Sequence, residues 1–361
     1  MRVKPSQIVP GCVLLQDVFS KTSKPIISKQ TVLTDEHITI LQKFFIDTVE
    51  VASTLANGAP FQPDQPQLHE VMSIVGQSQL PDSFIAHYQT VVANYKQLFQ
   101  NWQSTFVLNM ADVRTMLLPL LKQVDSVGDC VYTLHHYADE RDYRFHHSVA
   151  VGLLAAYVAK RLGYKKGEWL QVGLAGLLSD AGMARIAAST LEKSGTLSQI
   201  EWEELKKHPI YSYRLIEKSP TATKSVKLAV LQHHERLDGS GYPLGISHEK
   251  IHAYARIIAV CDTYHAMTSV RPYKQKQSMF HAVGELQNNR FTMFDHEVVQ
   301  VLIDDLNWII VGTKVKLSTN QIGEVVFTDK NDPTRPIIRL DGSNEMIALK
   351  DNKDIQIETV L

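Results

Sequence analysis

The segment that most constrains the fold is HHERLDGSGYP, residues 233–243. Adjacent side chains on a regular helix point about 100° apart, so His233 and His234 can reach one metal ion only near a helix end. Gly239 and Gly241 supply such an end, because glycine adopts the backbone conformations that terminate helices. The segment therefore predicts a helix that ends at a metal site.

Histidine is the residue type that stands out in this 361-residue chain. Of the 15 histidines, 12 lie between His135 and His296, which indicates a metal site. The net charge of −1 gives no field that would attract nucleic acid, so we expect no nucleic-acid partner. The apolar runs are too short to span a membrane and the N-terminus has no secretory pattern, so we expect a cytoplasmic protein.

Four further fragments carry imidazoles or carboxylates at the ends of apolar helical segments. Any one of them is typical of an ordinary polar helix end, but together with residues 233–235 they indicate a shared site. Imidazole nitrogen and carboxylate oxygen suit iron, manganese, nickel or zinc. No cysteine is spaced for a thiolate site, which argues against structural zinc. The fragments are His146-His147-Ser148, Leu177–Gly182, His208-Pro209 and Ala259–Asp262.

The 233–243 segment resembles the HHERxDGSGYP signature of HD-GYP domains. Residues 255–262 and 268–273 resemble the family segments that follow it, and the resemblance covers about residues 131–310, half of the chain. It implies a helical bundle that holds two or three metal ions and hydrolyses cyclic di-GMP. In that family a hydroxide between two ions attacks phosphorus while the ions polarise the phosphate oxygens.

The resemblance also assigns metal ligands, position by position. One ion would be held by Asp180, His208, His233 and His234. A second ion would share Asp180 and would use His147, Asp262 and the histidine of the family's His-Asp pair.

Substrate contacts follow from the same resemblance. The loop residues Gly241, Tyr242 and Pro243 would border the nucleotide pocket. Arg271 would contact the phosphate, because a guanidinium matches phosphate oxygens in a bidentate manner; the alternative is a structural ion pair. Asp180 and Arg271 are thus the residues expected to take part in catalysis, and cyclic di-GMP is the expected partner.

Three positions depart from the family pattern. Ser179 stands where the family has the histidine of the His-Asp pair, and a serine hydroxyl is a weak neutral ligand. Met183 stands where the family has a lysine that meets the phosphate, and a thioether offers neither charge nor donor. Tyr143 stands where three-metal members have a carboxylate, so we expect no third ion.

Two nearby residues are candidates to compensate for these losses. His265 shares a helical face with Asp262, and it would either lend a nitrogen to the second ion or only pack beside the site. Arg185 would either replace the missing positive charge or lie in solvent at a helix end.

These observations leave two main hypotheses of different classes. The favoured one is a cyclic di-GMP signalling protein whose degenerate centre holds one or two ions and hydrolyses the nucleotide weakly or not at all. The alternative is an active metal-dependent phosphodiesterase with an altered ligand set. A scaffold that binds no nucleotide is the least supported hypothesis, because the pocket motifs persist.

The rest of the chain predicts a mainly α protein with small flanking modules. Residues 1–56 predict an α/β domain with a helix capped by Thr34, and residues 57–128 predict a linker and an amphipathic helical segment. Residues 129–311 would form the helical metal-binding domain, and residues 312–361 alternate like the strands of a small barrel-like β module. The apolar stripe of residues 67–128 would pack on the neighbouring domain or on a second copy, which would give a homodimer.

Overall fold

The computed structural model describes residues 2–3, 8–18, 25–43, 49–58, 61, 81–138, 141–193, 195–270, 276–305, 311–329, 332–343 and 345–361. The chain divides into two compact units, Met1–Gly76 and Gln77–Leu361. The four-part division expected from the sequence stays a prediction, and its boundary at residue 312 falls inside the second unit. None of the helices in the described ranges has the length and apolar character to cross a membrane.

The first unit contains a small antiparallel sheet and a helix. β1 (Arg2–Val3) and β2 (Cys12–Leu14) both pair with β3 (Val49–Leu55), which lies between them. Helix α1 (Asp35–Lys43) begins after Thr34, whose hydroxyl accepts from the His37 backbone N–H at 3.5 Å. The unit has a hydrophobic core of its own, and this architecture confirms the predicted N-terminal α/β region.

Helix α2 (Asp82–Thr105) begins the described part of the second unit and is followed by α3 (Met110–Leu121). The apolar stripe of α2 is buried in the main core. Tyr88 donates to the His146 carbonyl at 3.3 Å, and Tyr95 donates to the Leu177 carbonyl at 3.2 Å. The stripe therefore packs on the chain's own helices, so a homodimer through this segment would need another face and stays a prediction.

The centre of the second unit is a bundle of helices joined by short connections, as predicted. Apolar side chains from nearly all of its helices meet in one core. Its elements are α4 (Val124–Val127), a 3-10 helix (Gly128–Tyr137), α5 (Tyr143–Arg161), α6 (Lys166–Leu178), a second 3-10 helix (Ala181–Arg185), α7 (Ala188–Leu191), α8 (Gln199–Leu205), α9 (His208–Ile216), α10 (Lys224–Gln232), a third 3-10 helix (His248–Lys250), α11 (Ala253–Thr268), α12 (Met279–Asn288) and α13 (His296–Asp305).

Helices α5 and α6 cross at close range because glycines line their contact. A Cβ added to Gly176 would lie 3.0 Å from the Val151 carbonyl oxygen and 3.1 Å from the Gly152 Cα. His147 lies on α5, and Asp180 follows the last residue of α6 by two positions. This tight crossing therefore fixes the separation of two predicted ligands.

The C-terminal strands form an open antiparallel sheet of order β7-β6-β5-β4-β8. Closure would require β7 to pair with β8, and no such pairing occurs in the described part of the chain, so the predicted barrel-like form is wrong. Phe280 of α12 lies in the core of this sheet, and the Ser278 hydroxyl donates to the Ile357 carbonyl at 2.8 Å. The sheet thus packs on the last helices of the bundle. Its strands are β4 (Lys314–Leu317), β5 (Ile322–Asp329), β6 (Asp332–Leu340), β7 (Met346–Ala348) and β8 (Ile357–Val360).

Candidate metal centre

The six predicted metal ligands come together from five separate segments of the bundle. His147 lies in the first turns of α5, Asp180 follows α6, His208 opens α9 and Asp262 lies within α11. Helix α10 ends at Gln232, so His233 and His234 follow its last residue, and the predicted helix end is confirmed. Nitrogen and oxygen atoms within 4.8 Å of one another form two groups that share Asp180. The groups are Asp180, His208, His233 and His234, and His147, Asp180 and Asp262.

In the first group, two imidazoles are oriented by backbone carbonyls. Nδ1 of His208 is 2.8 Å from the Leu205 carbonyl, and Nδ1 of His233 is 2.8 Å from the Val230 carbonyl. A carbonyl only accepts, so both Nδ1 atoms carry protons, and the neutral form of either ring leaves its Nε2 bare for a cation. These two Nε2 atoms are 3.3 Å apart, and they lie 3.2 and 3.6 Å from Oδ1 of Asp180.

This convergence fits a cation. Oδ1 of Asp180 is buried and has no hydrogen bond of acceptable geometry among the described residues, although both imidazoles are near it. Three acceptor atoms that face one another in a buried space repel, unless a positive ion lies between them. The donor set of nitrogen and oxygen atoms suits a divalent transition metal.

The second group is smaller. Nε2 of His147 lies 2.8 Å from Oδ1 of Asp262 and 3.7 Å from Oδ2 of Asp180. His234 borders it, with Nδ1 3.8 Å from Oδ2 of Asp262. Three protein ligands leave coordination positions for water or substrate, which is typical of catalytic rather than structural metal sites.

The carboxylates of the centre are held in their ionised form. Burial by itself would raise the pKa of Asp180, but contacts with the His208 and His233 imidazoles, and charge on His208 and His147 when these rings are protonated, lower that pKa well below its ordinary value. Burial likewise opposes ionisation of Asp262, and His147 with His234 lowers its pKa overall. Burial lowers the pKa of His234, so this imidazole is neutral and able to coordinate.

The loop after His234 packs against the ligand-bearing backbone. Glu235 is 2% exposed and accepts from the Leu244 N–H at 2.6 Å and the Ile246 N–H at 3.1 Å. A Cβ on Gly241 would lie 2.4 Å from the His234 carbonyl oxygen, so only glycine allows this approach. The Tyr242 ring packs against His234 at a tilt of 33°, with ring centroids 4.7 Å apart, and Tyr242 is joined to Pro243 by a cis peptide bond. The loop is thus fixed beside the centre, and its contact with a nucleotide stays a prediction.

Position 179 contributes no side chain to either group. The Ser179 hydroxyl turns back along its own helix and donates to the Ala175 carbonyl at 2.9 Å. Its carbonyl accepts from the Ser212 hydroxyl at 2.6 Å, and the same hydroxyl accepts from the Gly182 N–H at 2.7 Å. Serine 179 therefore supports the turn that carries Asp180, while Met183 is partly buried against the main core.

Neither of the two candidate compensating residues supplies a ligand atom to the metal groups. His265 lies behind His147, with its Nδ1 3.0 Å from Nδ1 of His147, so it contacts the far side of that ring. Arg185 is exposed, and its guanidinium lies 4.8 Å from the centroid of the Phe106 ring. The expectation that either residue repairs the site is therefore wrong, while the packing alternative for His265 and the surface alternative for Arg185 agree with the geometry. The predicted phosphate contact, Arg271, lies outside the described residues.

Residues 132–298 match the family model described as an HD domain. The matched residues contain all six converging ligands. Its relatives include the cyclic di-GMP phosphodiesterase PA4108 of Pseudomonas aeruginosa, 34% identical over 185 residues, which are 51% of this chain and 44% of that protein. The response regulator RpfG of Xanthomonas campestris pv. campestris, also named a cyclic di-GMP phosphodiesterase, is 39% identical over 151 residues, 42% of this chain and 40% of its own.

A third relative differs in its named substrate. The 3'3'-cGAMP-specific phosphodiesterase 3 of Vibrio cholerae is 28% identical over 220 residues, 59% of this chain and 48% of that protein. The chain therefore spans about half the length of the curated relatives it matches. Among solved structures, the HDG"Y"P protein Bd1817 from Bdellovibrio bacteriovorus aligns with a TM-score of 0.50 at 15% identity, over 85% of this chain and 99% of its own. That likeness supports the fold.

Several supporting residues were not found by sequence reasoning. Ser212 joins α9 to the turn after α6, but its partners lie 30 and 33 residues away and no local pattern marks it. Glu235 lies inside the quoted motif, directly after two histidines, and this position was the signal in the sequence for a role at the site. Tyr143 contacts His147 through its hydroxyl, 3.2 Å from Nδ1, where only the missing carboxylate had been considered.

Proposed function

We propose that the protein is a metal-dependent phosphodiesterase that opens a cyclic dinucleotide, with cyclic di-GMP as the first candidate substrate. The observation that carries the proposal is the pair of buried ligand groups that share Asp180. A shared carboxylate places two ions close together, which is the arrangement that two-metal hydrolysis of phosphate esters requires. The names of the relatives supply the substrate class.

The residues of this chain have distinct roles in such a reaction. Ions held here would stabilise charge on the phosphate and make water a nucleophile near neutral pH. Asp180 would hold both ions, and His208 and His233 present bare Nε2 atoms that are already oriented by backbone carbonyls. The net reaction adds water across one P–O bond of the ring and leaves a linear dinucleotide with one phosphomonoester and one free hydroxyl.

The nucleotide pocket would lie beside His234, where the Gly241–Pro243 loop is fixed. Tyr242 covers one face of that imidazole, and its phenol is partly buried. Arg271 stays the predicted phosphate contact. The relatives from Pseudomonas, Xanthomonas and Vibrio differ in named substrate, so 3'3'-cGAMP is the second nucleotide to test.

Binding without hydrolysis is the second candidate function. One observation favours it: the Ser179 hydroxyl is turned away from the centre, so the second group has three ligands. We favour hydrolysis, because three ligands with open positions are what a catalytic site needs, and because His147, Asp180 and Asp262 converge without any contribution from position 179.

The deciding experiment combines metal analysis with turnover. Wild type loaded with manganese or iron is expected to hold about two ions and to convert cyclic di-GMP to a linear product, while Asp180→Asn does neither. The binding-only function predicts instead about one ion in wild type, tight nucleotide binding by calorimetry, and hydrolysis that appears only in Ser179→His. Hydrolysis of neither nucleotide by loaded wild type would rule out the proposed activity.

A further inference from the structure

His265 is an imidazole placed directly behind another imidazole of the centre. Its Nδ1 is 3.0 Å from Nδ1 of His147, while Nε2 of His147 points the opposite way, 2.8 Å from Asp262. His265 is 1% exposed, and the Ser269 hydroxyl lies 3.3 Å from the same Nδ1. The contact is therefore buried and faces away from the metal groups.

The position of one proton links these two rings. A histidine that coordinates an ion through Nε2 carries its proton on Nδ1 and donates it to a partner. His265 Nδ1 at 3.0 Å and the Tyr143 hydroxyl at 3.2 Å are both within reach of His147. The nearer partner is His265. When a neutral His265 accepts at Nδ1, its own proton must be on Nε2.

Nε2 of His265 is the unfavourable part of this arrangement. The atom is buried and has no hydrogen-bond partner among the residues that the structure describes. A buried N–H without a partner is unfavourable. A carboxylate at this position would accept the same proton and would have none of its own to place, so the imidazole is the weaker acceptor.

We propose that His265 is a positioning residue for the second ion. His265 selects the Nδ1–H form of His147. The proton on Nε2 of His265, which has no partner among the described residues, keeps the second ion more weakly bound than the first. The first group has no such weakness, because His208 and His233 donate to backbone carbonyls. The inference rests on the metal centre of the proposed function, and it concerns metal affinity rather than the chemical step.

The test is a manganese titration of the full chain by calorimetry, without nucleotide. His265→Leu removes the acceptor and should weaken the second ion by about 10–100-fold, the range for lost partners of metal-bound histidine, while the first ion is unchanged. His265→Asp should tighten the second ion. Ser269→Ala is the matched control, because Ser269 contacts His265 but not His147.

A second measurement reports the proton itself. Nitrogen-15 spectra of the zinc-loaded protein should show an Nδ1–H on His147 that is hydrogen-bonded in wild type and in His265→Asp but shifted in His265→Leu. An unchanged second affinity in His265→Leu, or an equal fall for both ions, contradicts the inference. Weaker binding of the second ion in Tyr143→Phe, with unchanged binding in His265→Leu, would assign the acceptor to Tyr143 and would also contradict the inference. If His265→Leu does not fold, the test rests on His265→Asp. The inference is contradicted if His265→Asp binds the second ion no more tightly than wild type does.

The outcomes separate this inference from the proposed function. No nucleotide is present, so two ions with the expected affinities but no hydrolysis in the separate assay would refute the phosphodiesterase and leave the role of His265 standing. A wild type that holds a single ion at every manganese concentration refutes the role of His265, and the hydrolysis assay still decides the function.

Discussion

Among single residues, Asp180 has the most demanding position in the molecule. It is 6% exposed, it faces imidazoles on both sides, and it belongs to both ligand groups. Its ionised form is stabilised by those imidazoles against the cost of burial. The remaining ligands each serve one group, so their losses should be separable.

Replacing the two carboxylates should therefore have unequal effects. Asp180→Asn is expected to remove nearly all metal, whereas Asp262→Asn should leave about one ion of two, because the first group is intact. Metal analysis by mass spectrometry after gel filtration measures the difference. Equal losses in the two variants would show that the groups do not fill independently.

Chelation should expose how far bound ions stabilise the fold. An ion that binds only the folded state stabilises it by RT ln(1 + [L]/Kd), about 2.7 kcal/mol at a hundredfold excess over Kd. Wild type should melt several degrees lower after chelation, as measured by calorimetry. Asp180→Asn is the control and should melt at the same temperature with and without chelator.

At the scale of elements, the α5–α6 crossing and the loop after α10 hold the ligands in place. The sequence predicted the loop after His234, but it did not predict the close helix crossing. The helix end at His233 and the C-terminal strands, such as Lys314–Leu317, follow local rules and were predicted. The sequence did not predict which side of His147 would contact His265. That contact depends on how α5 and α11 pack together and not on the spacing of residues within α11.

Filling the helix crossing should destabilise the protein. Gly176→Ala places a methyl group against the α5 backbone, and overpacking of this kind costs about 1–3 kcal/mol. Gly167→Ala in the same helix is the matched control: its Cβ meets no other atom within 4 Å, so stability should be equal or slightly higher. Denaturant unfolding of both variants measures the contrast, and similar losses in the two would contradict a close crossing.

Removing the loop anchor should loosen the Gly241–Pro243 segment. Glu235→Gln replaces a buried acceptor of two backbone N–H groups, and hydrogen bonds to charged groups contribute about 1.5–3 kcal/mol. We expect lower stability, faster amide exchange at Leu244 and Ile246, and weaker nucleotide binding. Asp238→Asn is the control, since Asp238 is exposed and accepts from the backbone N–H and the hydroxyl of Ser240. Unaltered amide exchange in Glu235→Gln would contradict the anchor role.

At the scale of the whole molecule, the two compact units differ from the modules expected from composition. The break lies near residue 76, whereas the C-terminal sheet belongs to the same unit as the helical bundle that carries the metal ligands. Strand alternation predicted the sheet itself. It could not predict that Phe280, a residue of α12, would complete the sheet's core, because that contact joins segments that carry no mutual signal in the sequence.

Truncations should follow the structural division. A fragment of residues 77–361 is expected to keep the metal content of the full chain, because its core is self-contained. A fragment ending at residue 311 exposes Phe280 and should be less stable by at least the roughly 1.5–3 kcal/mol of one buried aromatic side chain. Thermal unfolding compares the fragments, and a fragment 77–311 as stable as 77–361 would show that the sheet is an independent module.

The two tyrosine hydroxyls of α2 have a mechanical consequence. Tyr88 is bonded to the carbonyl one residue before His147, and Tyr95 to a carbonyl three residues before Asp180. Helix α2 is therefore hydrogen-bonded to both backbone segments that carry these ligands. We therefore expect a shift of α2 along its axis to change the distance between His147 and Asp180, and with it the geometry of the metal centre.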